Sequence, residues 1–255
     1  MSLSTRLTWN VAGIFGVILI WQLSLIIGLV PEAFVPSPWA VLVSFIGLFG
    51  QAQFLASVQS TFTAWGISVL LVLVTAVPLG VLIGRVDFLR KSTITLIETL
   101  RPIPSVAILP LAILVLGLST QMKISLGVYG AFWPLIITTI YGVAAIDAIL
   151  INSGRLMGWG HVRVLRKVVL PAALPYVATG LRVATAVALI MVLTAELLGG
   201  TSGIGYQIAL YQTAGRVADV FAGVLFIGGS GMIAYMLLIQ AEKHLIPWGS
   251  ARGDR

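Results

Sequence analysis

Long apolar runs separated by short polar breaks dominate the chain. A membrane-crossing helix needs about 20 consecutive, mainly apolar residues. Six runs meet or approach that length: residues 11–30, about 57–84, about 103–118, 124–145, 176–198 and 217–239. Each is predicted to be a helix that crosses a bilayer. Strand-length alternation of apolar and polar positions is missing, which argues against a membrane β-barrel. The first run is longer than the core of a typical secretory signal and is not followed by a small-x-small cleavage pattern, so it is expected to be retained. Residues 39–50 are apolar but too few to cross, and they follow Pro31, Pro36 and Pro38. They are expected to lie along an interface. The whole of 1–255 reads as one transmembrane domain, with a polar insert at about 147–175.

Composition supports the same class. Of 255 residues, 59% are apolar and 9% charged, and the mean hydropathy is +1.08. Soluble domains are about 25% charged, so this chain cannot cover a globule with charge. A soluble enzyme, a disordered tail and a nucleic-acid module are excluded on that ground. The net charge of +7 points to a membrane, not to nucleic acid. The chain has no cysteine and only two widely separated histidines, His161 and His244, so neither a thiolate site nor a histidine metal cluster is expected.

Lysine and arginine placement sets the orientation. With a cytoplasmic N-terminus, the inner segments carry Arg6, then Arg85, Arg90 and Lys91, then Arg155, Arg163, Arg166 and Lys167, and finally Lys243, Arg252 and Arg255. The outer segments carry only Lys123 and Arg216. Both termini are therefore expected in the cytoplasm. No inverted repeat of the secondary-transporter kind is apparent. Neither a phosphate loop nor the two commonest hydrolase motifs occurs. No span offers a nucleophile with a base, so the chain is read as a transport component without its own catalysis.

Charges within or beside the spans are informative, because at bilayer depth each costs about 2.5–3.5 kcal/mol and so faces a bundle interior or water. Glu98 and Arg101 stand three residues apart on one helix face. Arg101 lines the inner end of a path and meets an anionic or polar substrate, or the two form a structural pair pinning the segment before Pro102. Glu196 either gates the outer end of that path or bonds a neighbouring helix. Arg182 is expected to snorkel to the interface. Gly80 and Gly84 form a small-x-x-x-small face suited to helix packing, and Trp9, Trp39 and Trp248 read as interfacial belt residues.

The insert is the most informative stretch. It is predicted to form a short amphipathic helix, a glycine break at Gly158 and Gly160, and a second short helix ended by Pro171, with Pro175 setting the start of the fifth span. Met157, Val164 and Leu165 supply an apolar side; Arg155, Arg163, Arg166 and Lys167 supply donors. Such a piece cannot bury its apolar side alone and is expected on a membrane or in a partner's groove. The alternative is an ordinary basic loop obeying the inside rule.

The spacing of this insert resembles the cytoplasmic motif of permeases of binding-protein-dependent ABC importers: Glu-Ala-Ala, three residues, Gly, nine residues, then Ile-x-Leu-Pro. Here those positions are Asn152, Ser153 and Gly154, then Gly158, then Val168, Val169, Leu170 and Pro171. Asn152 stands where the family has Glu. Further matches run through the chain: the Pro36–Pro38 segment, Glu98 to Pro104, Phe132–Trp133–Pro134, Leu170 to Pro175, Gly180 to Arg182, Ala195 to Leu197 and Gly203 to Gly205. The likeness is nearest the nitrate/sulfonate/taurine branch.

The resemblance implies an all-α type I importer transmembrane domain of about six helices with a cytoplasmic coupling helix. It implies that Asn152, Ser153, Gly154, Arg155, Met157, Gly158, His161, Arg163, Leu170 and Pro171 meet an ATPase subunit, and that Glu98, Arg101 and Glu196 belong to the path. ATP and Mg would sit on the partner ATPase, with no cofactor in this chain. The implied partners are a second permease copy (identical or different), two ATPase subunits and an extracytoplasmic solute-binding protein. The implied setting is a bacterial inner membrane, and the implied cargo a sulfonate, nitrate or similar small anion. The runner-up readings are a gradient-driven transporter or channel, and an ABC permease for a heterocyclic or aromatic nutrient.

Overall fold

The computed structural model describes residues 3–248, with side chains described at Trp9 and from residue 12 onward. Arg252, Arg255 and the side chain of Arg6, which entered the orientation reading, lie outside the described residues. The helices run in order α1 (Leu3–Ile26), α2 (Pro38–Leu48), α3 (Ala52–Arg85), α4 (Asp87–Leu100), α5 (Leu109–Leu116), α6 (Thr120–Ala144), α7 (Ala148–Leu156), α8 (His161–Val164), α9 (Leu170–Gly199), α10 (Ile204–Thr213) and α11 (Val217–Leu245). A 3-10 turn, Ser105–Ile108, leads into α5. Among the described residues no strand occurs.

Local chemistry starts several of these helices. Ser37 accepts from the Ala40 amide at 3.2 Å, with Pro38 in the first turn of α2. Ser119 does the same for Met122 at 3.2 Å in α6, and Asp147 accepts from Ile149 at 2.8 Å in α7. Each satisfies an amide that the first helical turn leaves free.

The bundle is built on α3, α6 and α9. The buried face of α3 recurs every three or four residues: Phe54, Ser57, Thr61, Ala64, Ser68, Val72, Ala76, Gly80 and Gly84. Most of these are small, which lets the backbones approach. A Cβ at Gly80 would lie 2.7 Å from Thr139 Cβ, and one at Gly84 would lie 2.8 Å from the Ile140 carbonyl. The predicted packing face is therefore observed. The α6–α9 contact works likewise, with Gly142 beneath the Tyr176 ring and Gly180 against Thr138. The central core joins Val72 and Ala76 to Leu135, Ile136 and Ile140 of α6, Ala184 and Ala188 of α9, and Ile97 of α4.

Four helices are long and apolar enough to cross a membrane: Ala52–Arg85, Thr120–Ala144, the continuous His161–Gly199 and Val217–Leu245. The bent pair Asp87–Leu100 plus Ser105–Leu116 raises the number to five, counted over the described residues. The sequence predicts six; the first run lies in α1 (Leu3–Ile26, 24 residues), whose apolar stretch among the described residues is Ala12–Ile26. The third run differs. In place of one helix over 103–118, the chain bends by 80° between α4 and α5, because Pro102 and Pro104 remove two amide donors within three residues.

The second short helix of the insert also departs from expectation. Pro171 does not stop it; α8 passes through a π turn, Leu165–Val169, straight into α9. A proline ring clashes with the carbonyl four residues back in regular helix, and the wider turn accommodates it, with the Leu170 amide donating to the Leu165 carbonyl. Pro175 then leaves the Pro171 carbonyl without its usual helical donor. The Trp248 indole donates to that carbonyl at 3.2 Å, tying the end of the described chain to the start of α9.

Candidate translocation path and coupling surface

At the α10 end of the bundle lies a buried polar cluster. Lys123 and Glu196 form an ion pair at 2.8 Å, with side chains 3% and 0% exposed. Lys123 Nζ also donates to Ser60 Oγ at 2.8 Å and to the Ser202 carbonyl at 3.1 Å. The Glu196 carboxylate accepts from Thr61 Oγ1 at 2.8 Å and from the Gly205 amide at 3.1 Å. Thr61 Oγ1 accepts in turn from the Ile204 amide at 2.8 Å. A buried ion pair of this kind is tolerated only when its remaining donors and lone pairs are satisfied, and here they are. Gly203 is part of the arrangement: its φ is +109°, and a Cβ there would fall on the Glu196 carboxylate.

The charge pattern places Lys123 in an outer segment. It is instead buried in the first turns of α6, because Ser119 caps that helix four residues earlier. The signal was present in the chain: a lone lysine and a lone glutamate beside different spans at the same end require each other. Thr61 and Ser60, by contrast, carried no such signal.

Glu98 lies on the last turn of α4 and Arg101 is its C-cap. Both are exposed, and among the described residues no ion pair joins them. The contact recorded for Glu98 is with the Tyr141 hydroxyl, which donates at 3.5 Å, the outer limit of hydrogen bonding. Arg182, expected to snorkel, instead meets Glu242 of α11 at 3.3 Å, while its Nη2 reaches Thr179 at 3.3 Å.

The insert forms a compact hairpin at the α7–α8 end. Gly154 is buried, and a Cβ on it would meet Trp159 and Val164, each at 3.4 Å. Trp159, Val164 and Val169 pack with Val81, Val143 and Ala173. The turn depends on Gly158, whose φ of +75° suits glycine. Val164, expected on the apolar side offered to a partner, is buried at 1% and holds the hairpin to the bundle. Outward-facing apolar side chains remain nonetheless: Leu156 is 89% exposed, Met157 69% and Val162 64%. Asn152, Arg155, His161, Arg163 and Leu170 are exposed around them, and Ser153 and Pro171 half-buried.

An apolar helical bundle with a firmly seated, outward-greasy hairpin at one end has the form of a membrane transport subunit. The family of binding-protein-dependent transport system inner membrane components matches residues 76–247, and the chain belongs to it. A permease protein assigned to aliphatic sulfonates transport in Bacillus subtilis, SsuC, is 29% identical over 235 residues, covering 91% of this chain and 84% of its own. The taurine transport system permease protein TauC of Escherichia coli is 28% identical over 254 residues, covering 96% and 91%. Among solved structures, a chain of a bacterial ABC transporter involved in import of the acidic polysaccharide alginate superposes with a TM-score of 0.68 at 18% identity, covering 94% and 97%. That likeness is one of fold.

Proposed function

We propose that this chain is the permease subunit of an ATP-driven importer that brings a small anion, a sulfonate or nitrate by preference, across a bacterial inner membrane. ATP and Mg belong to two separate ATPase subunits, and the cargo arrives on an extracytoplasmic binding protein. Two permease copies, identical or paired with a relative, enclose one path at their interface. The α7–α8 end faces the cytoplasm, as do both termini. The α2 and α10 end, including residues 31–39 and 199–216, faces the binding protein.

The observation that carries this reading is the triad Leu156, Met157 and Val162, exposed on a hairpin that Gly154, Trp159 and Val164 fix rigidly to the bundle. Three large apolar side chains on a segment flanked by Arg155, His161 and Arg163 suit a partner groove, not open water. In this reading Asn152, Ser153, Gly154, Gly158, Leu170 and Pro171 shape the hairpin, and the ring of basic residues meets acidic groups on the ATPase. Glu98 and Arg101 belong to the path. Glu196, already satisfied by Lys123 and Thr61, holds the outer end together and is a gate only in that structural sense. The relatives' sulfonate and taurine assignments support the choice of cargo.

The test is reconstitution with the ATPase and binding proteins in liposomes. Binding-protein-stimulated ATP hydrolysis linked to uptake supports the proposal. Gly158→Leu should leave the bundle folded and separate hydrolysis from uptake. Uptake that follows an ion gradient without ATP would favour the gradient-driven alternative.

A further inference from the structure

We propose that the groove between α11 and the α3–α9 pair binds one membrane phospholipid with an ethanolamine headgroup, whatever solute the chain carries. Two adjoining cavities make up the groove. The first, about 570 Å³, lies toward the α10 end, between Phe62, Trp65 and Val69 of α3 and Ser230, Ile233 and Leu237 of α11. The second, about 400 Å³, continues toward the α7–α8 end between Leu73 of α3, Leu174 and Leu181 of α9, and Leu245 of α11. Leu238 and Ala241 line both. From Ser230 to Leu245 the groove follows about 22 Å of helix, at roughly 1.5 Å per residue. That length suits an extended acyl chain, not a compact solute.

The seating of α11 leaves this groove open. Ala222 and Gly223 are its buried residues, with Gly223 against Ile208 of α10. At the opposite end Arg182 reaches Glu242, and the Trp248 indole holds the Pro171 carbonyl. Between these attachments Ile233 and Leu237 line the groove while remaining 60% and 59% exposed. Hydrogen bonding decides what can enter. Trp65 Nε1 donates to the Thr185 carbonyl at 3.0 Å, the Thr185 hydroxyl to the Leu181 carbonyl at 2.7 Å, and the Ser230 hydroxyl to the Ile227 carbonyl at 2.9 Å. The first cavity therefore offers no free side-chain donor. Hydrocarbon fits it; a polar solute does not.

The second cavity differs by one feature, the Arg182–Glu242 pair. Arg182 Nε is buried and makes no hydrogen bond. It stands 3.3 Å from the Glu242 carboxylate without the alignment a hydrogen bond needs. That carboxylate accepts no hydrogen bond among the described residues. A buried polar group left unpaired is costly, so the pair presents an unused donor beside an unused acceptor, with no net charge. A phosphate oxygen complements the guanidinium, and an ammonium complements the carboxylate. Phosphoethanolamine carries both groups close together at the head of its acyl chains. Phosphocholine has no N–H to give, and phosphoglycerol brings a negative charge that the neutral pair does not balance. Lys243 and Trp248 follow Glu242 closely, and these residue types mark a membrane–water interface. The headgroup therefore sits at the edge of the bilayer and the chain rises between α3 and α11.

The test is lipid retention by the full chain purified in detergent. Phosphatidylethanolamine, phosphatidylcholine and phosphatidylglycerol are offered in equal amounts, and native mass spectrometry reads what stays bound. The parent should keep one phosphatidylethanolamine per chain, several-fold over either competitor. Glu242→Gln should abolish the preference over phosphatidylcholine, and Arg182→Gln should lower phosphatidylethanolamine retention several-fold. Gly66 lines the first cavity, and a Cβ there meets nothing within 4 Å. Gly66→Leu therefore fills the groove without a collision and should displace the lipid. Gly47→Leu on α2, equally open and outside the groove, should retain lipid as the parent does. A parent that keeps no phospholipid, equal retention of the three lipids, or retention unaltered by Gly66→Leu would overturn the proposal. A preference for phosphatidylglycerol would overturn the headgroup assignment. Disulfide crosslinking between copies through Ala234→Cys, in this otherwise cysteine-free chain, would put protein in the groove and overturn the lipid as its occupant. No readout here involves an ATPase or a cargo, so each result is separable from the permease reading.

Discussion

Replacing Lys123 by Met should destabilise the bundle far more than its single ion pair suggests. The Glu196 carboxylate is fully buried, and without Lys123 it keeps only Thr61 and the Gly205 amide as donors. Removing one partner of a buried pair costs about 3–5 kcal/mol, because the other charge stays uncompensated. Glu196→Gln should cost a similar amount by stranding the Lys123 ammonium against Ser60 and Ser202. The double variant Lys123→Met with Glu196→Gln should lose clearly less than the sum of the two, since each residue's main liability is removed together with its partner. Equilibrium unfolding in mixed detergent micelles, followed by tryptophan fluorescence, measures all three. A Lys123→Met variant within about 0.5 kcal/mol of the parent, or single losses that add fully, would refute the view that this pair anchors the α10 end.

Gly203→Ala combines a left-handed φ with a collision on Glu196 and should cost about 1–3 kcal/mol in the same assay, whereas Gly66→Ala, open on all sides, should be neutral or slightly stabilising. Trp248→Phe removes the donor to the Pro171 carbonyl; a loss of about 1 kcal/mol should appear as faster amide hydrogen exchange around residues 165–175. Arg101→Gln should lower uptake of an anionic cargo while leaving unfolding unchanged, and unaltered uptake would remove Arg101 from the path.

Helix identity was legible wherever an apolar run was long and free of clustered proline. The second, fourth and sixth runs fall within α3, α6 and α11, with ends shifted by a few residues. Proline was less readable, because its effect depends on what relieves it. Around Pro102 and Pro104 nothing does, and the chain breaks; at Pro171 a π turn widens the helix, and at Pro175 the Trp248 indole takes the orphaned carbonyl. Trp248 lies 77 residues from Pro171, so no local reading reaches it. Gly80 and Gly84 were identifiable because small residues four apart carry one meaning in a membrane helix. The Lys123–Glu196 pair was only half visible. Glu196 stood out within its span, but Lys123 looked like a loop charge until its helix was seen to begin at Thr120. In the insert, spacing marked Gly158 correctly as the turn, whereas the inward or outward sense of Val164 depended on Trp159 and Ala173, which only the packed structure brings together.

The central claim is that ATP hydrolysis reaches the path through the α7–α8 hairpin. The most direct measurement is binding-protein-stimulated ATP hydrolysis and uptake in liposomes, comparing the parent with Leu156→Asp/Met157→Asp, which puts charge where 89% and 69% exposed apolar side chains stand. The account predicts coupled hydrolysis and uptake in the parent, and in the variant an intact bundle that no longer retains the ATPase and imports nothing. A variant that binds the ATPase and imports at the parent's rate would contradict it.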